Sequence, residues 1–234
     1  MEFRGSDRGP FVPALIVVDM QEDFCPPEGS LAVREGRDIA PVINTLLAQP
    51  GLVVRIATQD WHPANHISFA SNHPPPNNRP FESFAEMKNP APDKKMESMS
   101  VQLWPDHCVA NTTGSNMIPE IDTTPIDHFI RKGTDPQVEM YSAFGDAFGN
   151  LDPAVTSQSG VTDVIVVGLA GDYCVKWTAI DAVKAGFRSW LVEEGTRCVA
   201  PEGWDKVKAE LHGAGVSVVH MDDPIVKKLS TAVD

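Results

Sequence analysis

Short, unbroken apolar runs alternate along this chain with stretches of helical periodicity. Residues 14–19 (ALIVVD) form the first run, which closes on a carboxylate. A run of that length without polar alternation reads as a strand buried on both faces. Ile39, Val42, Ile43, Leu46 and Leu47 then share one stripe of a helix, and Pro50-Gly51 ends it. Residues 52–58 (LVVRIAT) are a second buried strand, with Asp60 just beyond. Residues 127–132 (DHFIRK) make a weaker strand candidate ending at Lys132, and residues 161–169 (VTDVIVVGL) the strongest in the chain. A turn at 170–173 leads into a helix predicted from Cys174 to about residue 185. Its stripe is Val175, Ala179, Ala182 and Val183, and Gly186 closes it. Two more strands are expected around 189–192 and 216–220. Between them, a helix opens at Pro201, runs through Leu211 and stops at Gly213 and Gly215.

Buried strands alternating with helices predict an α/β fold. The expected form is a single domain over residues 1–234, with a doubly wound, mostly parallel sheet of six strands and helices on both faces. Ligands in that architecture bind beyond the carboxyl ends of the strands. Here those ends carry Asp19, Asp60, Lys132 and Cys174. Residues 61–115 break the rhythm: rich in Pro, Asn, His and Ser, they show no lasting periodicity and read as one long active-site loop insert.

Composition narrows the partners. Lys and Arg total 19 against 32 Asp and Glu, a net charge of −13, which repels nucleic-acid phosphates and anionic membranes alike. No apolar run is long enough to span a bilayer, and the first ten residues lack the apolar stretch of a secretory signal, so a cytoplasmic enzyme is expected. Cys25, Cys108, Cys174 and Cys198 include no CxxC pair and are expected to be reduced. No interface is readable, which leaves a homo-oligomer open.

Cys174 stands where a strand turns into a helix, in GLAGDYC. A helix N-terminus lowers a thiol's pKa, and turn amides there can hold an oxyanion. The plainer account of this residue, a small core cysteine, fits the position equally well. A nucleophilic thiol also needs a base, which Asp19 can supply if desolvation raises its pKa; Lys132 can offset the negative charge of the pair. Taken singly, Asp19 fits a helix or turn cap and Lys132 a solvated strand end. Asp60 and His62, two apart on extended backbone, point the same way and can share a cation, with His107 from WPDHC as third ligand. Two imidazoles and a carboxylate suit one divalent metal, Zn²⁺ first, with Fe²⁺ or Mn²⁺ also accommodated. His66 is a fourth candidate that the following loop context disfavours, while His73, His128, His212 and His220 have no partner pattern. Phe24, Trp104 and Tyr141 sit on the segments carrying these groups and can line a flat aromatic-ring pocket.

The runs IVVDMQEDFCPPEGSL, DWHP, WPDHC and GLAGDYCV, in this order, resemble the nicotinamidase branch of the isochorismatase-like cysteine hydrolases. The resemblance extends from about Ala14 to His220. It implies a catalytic Asp19–Lys132–Cys174 triad, metal ligands Asp60, His62 and His107, and oxyanion amides at Ala170 and Cys174 with a cis peptide at Leu169-Ala170. It also implies supporting polar roles for Gln21, assigned to the substrate pocket, and for Asp172. The activity implied is hydrolysis of nicotinamide to nicotinate and ammonia, serving NAD salvage. A relative acting on another amide, ureido or carbamoyl compound is the alternative, and a non-catalytic binding protein a more distant one.

Overall fold

The structure is a computed structural model in which residues 9–150 and 160–231 are described. Six strands form one parallel sheet: β1 (Pro13–Val18), β2 (Val54–Asp60), β5 (His128–Lys132), β6 (Asp163–Leu169), β7 (Arg188–Arg197) and β8 (Ser217–Val219). Their order is β5-β2-β1-β6-β7-β8. The chain winds outward from β1 through β2 to β5, returns to β6 on the other side of β1, and continues through β7 to β8. The sheet therefore reverses its winding between β1 and β6, where an α/β sheet opens a crevice.

Side-chain alternation along β1 shows why the run is continuous. Leu15 and Val17 pack into one core with Ile39, Ile43, Leu46 and Leu47 of the α1 region (α1, Ala40–Leu47). Ala14, Ile16 and Val18 face the opposite core, built with Val175, Ala179 and Ala182 of α2 (Cys174–Lys184) and Val207 and Leu211 of α3 (Trp204–Gly213). Each fully buried Val, Leu or Ile contributes roughly 1.5–3 kcal/mol, so neither face tolerates a polar residue. A four-residue helix, α4 (Pro224–Lys227), adds Val226 to the first core. No helix among the described residues is long and apolar enough to cross a membrane.

Two elements differ from expectation. Residues 61–115 are not uniformly irregular: β3 (Phe84–Lys88) and β4 (Ser98–Gln102) pair antiparallel as a separate hairpin. Only Met87 and Val101 of this hairpin are buried, which leaves almost no alternating apolar signal. The segment at Pro201 begins as a 3-10 turn, and α-helical bonding starts only at Trp204.

Gly168 sets the closeness of the β1–β6 seam. It lies at φ 117, and a Cβ there would collide with the Val18 carbonyl oxygen. The backbone that leads to Cys174 thus runs directly against the backbone that leads to Asp19.

Candidate active site

Strand pairing assembles the site. Asp60 and Lys132 are the last residues of β2 and β5 and lie opposite each other in register. Asp19 follows β1 and adopts φ 48, a left-handed conformation that a non-glycine residue holds only when its surroundings enforce it. Here Thr58 enforces it: the Asp19 N–H donates to Thr58 Oγ1 at 3.2 Å, and the Thr58 hydroxyl donates to Asp19 Oδ1 at 2.6 Å. The peptide Leu169-Ala170 is cis, as the resemblance implied, and Cys174 is the first residue of α2. In that position its N–H has no acceptor within the helix.

Lys132 is completely buried. Its Nζ lies 2.7 Å from Asp19 Oδ2, hydrogen-bonds Asp60 Oδ1 and donates to Cys174 Sγ at 3.4 Å. One ammonium therefore joins the two other expected groups, Asp19 and Cys174, and, beyond expectation, the first candidate metal ligand. Burial would lower its pKa, but the carboxylates of Asp19 and Asp60 outweigh burial and hold it well above the usual lysine range. Burial raises Asp19 to about 6, with Lys132 opposing and Asp60 reinforcing. Asp60 goes the other way. Burial would raise it, yet Lys132, His62 and His107 together hold it far below the usual carboxylate range. Two carboxylates at one lysine thus differ sharply in basicity, the pattern by which a site separates a proton acceptor from a permanent anion. Asp19 Oδ2 takes up no aligned hydrogen bond among the described residues, which leaves a lone pair for an incoming proton.

The thiol departs from expectation. The helix N-terminus does not leave Cys174 acidic; burial, with Asp19 and Asp60 nearby, raises its pKa well above the usual range despite Lys132. Desolvation of a nearly buried sulfur outweighs a helix dipole, whose effect is worth about 1 kcal/mol. Cys174 is a thiol at rest.

Beside this group, Asp60 Oδ2 lies 3.5 Å from His62 Nε2 and 3.9 Å from His107 Nε2. Ligands about 2.1 Å from a tetrahedral centre stand about 3.4 Å apart, so the spacing suits a divalent cation with little adjustment. The opposite ring nitrogens are committed: His62 Nδ1–H donates to the Gly133 carbonyl at 2.9 Å, and His107 Nδ1–H to that of Pro105 at 2.7 Å. Such bonds turn the Nε2 lone pairs inward, as metal-ligating histidines require. His62 Nε2 is buried without a hydrogen-bond partner among the described residues, a cost that a bound cation removes. His66 stacks on His62 at 4.0 Å, but its Nδ1 meets Ser68 Oγ at 2.7 Å and its Nε2 donates to the Val138 carbonyl at 3.2 Å. Both nitrogens are thus hydrogen-bonded, although His62, His66 and Glu139 also stand close enough together to share a cation.

A pocket opens over both groups, lined by Phe24, Trp104, His107, Tyr141, Ala170 and Cys174, with Leu31, Val33 and Val199 as further apolar walls. The three predicted aromatics are all present in it. Gln21 is not. It lies fully buried behind Asp60, donating to the Asp60 carbonyl at 2.8 Å and accepting the Asp60 N–H at 2.8 Å, and so braces a candidate ligand instead of lining the pocket. Asp172 accepts the N–H groups of Val199 and Ala200 at 3.0 and 2.9 Å, fastening the turn before Cys174 to the loop after β7. Two lining residues had no sequence signal. Glu139 is a buried carboxylate in an irregular stretch, and Tyr173 is an aromatic immediately before the nucleophile candidate.

A buried Asp/Lys/Cys group, backbone amides at a helix start and an Asp/His/His cluster under an aromatic pocket make a hydrolase site suited to flat amides. Residues 13–223 match the isochorismatase domain family, and the chain belongs to that family. Within it the curated relatives that this chain matches at 32–38% identity are named nicotinamidases, one of them nicotinamidase/pyrazinamidase. The Escherichia coli nicotinamidase is 36% identical over 218 residues, covering 90% of this chain and 95% of that protein. The yeast nicotinamidase bound to the inhibitor nicotinaldehyde superposes with a TM-score of 0.81 at 35% identity, over 89% of this chain and 100% of that one. A pyrazinamidase of Pyrococcus horikoshii in complex with zinc gives a TM-score of 0.68 at 33% identity, over 89% of this chain and 98% of that one.

Proposed function

We propose that this chain is a nicotinamidase, hydrolysing nicotinamide to nicotinate and ammonia through a thioester on Cys174. The observation that carries the reading is the lysine-centred cluster at the floor of an aromatic pocket, in a chain whose relatives carry that activity. Asp19 accepts the Cys174 proton as the sulfur bonds to the carboxamide carbon. Because the thiol is protonated at rest, transfer and attack occur together. The N–H groups of Ala170 and Cys174 take the developing oxyanion, a contact type worth about 3–4 kcal/mol. The C–N bond breaks, and Asp19 returns the proton to the departing nitrogen, which leaves as ammonia. Asp19 then deprotonates a water that attacks the thioester; the C–S bond breaks, Asp19 returns that proton to sulfur, and the acid leaves as nicotinate, giving its remaining proton to ammonia or solvent. Throughout, Lys132 keeps the pair Asp19/Cys174 from accumulating unbalanced negative charge.

Asp60, His62 and His107 would hold one divalent cation, zinc by donor type, with Fe²⁺ or Mn²⁺ as alternatives. When bound it supplies Lewis acidity that orients the pyridine nitrogen. Phe24, Trp104 and Tyr141 form the apolar wall against which the ring packs and exclude water.

Ammonia release from nicotinamide, measured beside ureido and carbamoyl compounds, tests the substrate. The wild-type protein should favour nicotinamide in kcat/KM. Cys174→Ala should lose at least about 10³-fold in kcat while keeping its metal, and acid quench of the wild type should trap an acyl adduct on Cys174. A fully active Cys174→Ala protein would refute covalent catalysis.

A further inference from the structure

Trp104, the largest ring of the pocket wall, is flanked by two other rings. The Phe81 ring meets it edge-on with centroids 5.6 Å apart, and the Tyr173 ring meets it edge-on at 4.9 Å. Both flanking residues need restraint. Phe81 is half exposed and lies at φ 69, a conformation unfavourable for an aromatic residue. Tyr173 precedes α2 with φ −126 and ψ −101, outside the usual helix and strand regions.

One side chain reaches both. Gln102, the last residue of β4, donates from Nε2 to the Phe81 carbonyl at 2.8 Å, and its Oε1 accepts the Tyr173 hydroxyl at 3.3 Å. The Phe81 N–H donates to the Leu103 carbonyl at 2.7 Å, closing the turn next to Gln102. A primary amide offers both the donor that the Phe81 carbonyl needs and the acceptor that the Tyr173 hydroxyl needs. Gln102 does not line the pocket that holds Cys174.

We infer that Gln102 is a positioning residue: it clamps the two rings flanking Trp104 and thereby sets affinity for the planar ring of the substrate. The inference rests on the nicotinamidase reading. It also assigns the hairpin a task, because β4 delivers Gln102 to the clamp and the chain runs on through Trp104 to His107.

The test is a kinetic split. Gln102→Ala should raise KM for nicotinamide about 5- to 20-fold, the sum of two modest hydrogen bonds, with kcat within about threefold of wild type. Gln102→Glu keeps the acceptor for Tyr173 but sets a carboxylate oxygen against the Phe81 carbonyl, so its KM should rise at least as far as that of Gln102→Ala. Tyr173→Phe should raise KM, and adding Gln102→Ala to it should cost less than in the wild-type background. An unchanged KM in Gln102→Ala, a loss confined to kcat, or full additivity with Tyr173→Phe would overturn the inference. If Gln102→Ala does not fold, Gln102→Glu and Tyr173→Phe with their double mutant distinguish the same outcomes. A wild-type protein inactive on nicotinamide would instead refute the functional reading.

Discussion

Cys174 and Asp19 together define when this site can react. A thiol pushed above its usual range gains nothing from waiting as a thiolate; its reactivity depends on the acceptor beside it. Asp19, raised to about 6 by burial, accepts a proton only in its ionised form. We therefore expect kcat/KM for nicotinamide to fall about tenfold per pH unit below an apparent pKa near 6 and to level off above it. A pH–rate profile without an acid limb between pH 5 and 7 would remove Asp19 as the base. The same shift has an opposite sign for stability. A carboxyl whose folded pKa lies above its unfolded value favours folding below about pH 4, and that contribution is lost as pH rises through 6. Asp19→Asn should thus abolish turnover without lowering Tm at pH 8, where the wild-type carboxylate is a buried charge sharing one lysine with Asp60. Circular-dichroism melts of both proteins at pH 5 and 8 check this.

Among the elements, the sequence made legible those whose burial is symmetrical. β1, β2 and β6 are covered on both faces, and their unbroken apolar runs predict strands with the reactive residues just past the ends. The β3–β4 hairpin was not legible, because Met87 and Val101 are the only buried residues of its two strands and its exposed positions carry Phe84 and Met99 as well as polar groups. Glu139 and Tyr173 escaped for a related reason: a loop residue is placed by tertiary contacts that leave no period. Cys174 was found by position, but its basicity was not, since desolvation depends on neighbours that only folding brings together.

Gly133 is a case where an element boundary controls chemistry. It follows β5 at φ 64, its carbonyl accepts His62 Nδ1–H, and a Cβ there would run into the His62 ring. Gly133→Ala must move that ring or the turn. Zinc affinity is expected to drop about 10- to 100-fold, the usual cost of disturbing a ligand's supporting hydrogen bond, with Cys174 still labelled by a small electrophile. Metal analysis after dialysis measures it, and full zinc retention would count against His62 as a ligand.

For the molecule as a whole, the proposed cation cluster bears on stability as well as on catalysis. Buried His62, His107 and Asp60 are brought together only by folding, so whatever binds them favours the native state. With free zinc at about a thousand times its Kd, the native state gains about 4 kcal/mol. Chelation should lower Tm by several degrees, and zinc should restore it in wild type but not in Asp60→Ala. An unchanged midpoint under chelation would place no cation among these side chains.

The shared lysine makes the two halves of the site reciprocal. Because Lys132 answers to Asp19 and to Asp60 at once, drawing its charge toward one carboxylate withdraws it from the other. Occupancy at the ligand cluster and proton affinity at the base are then linked quantities, each altering the other by the same factor. A neutral residue in place of Lys132 should leave only the direct effect of Asp60 on Asp19, whereas in the wild type an intermediate dose of either metal or acid should leave a population graded in both.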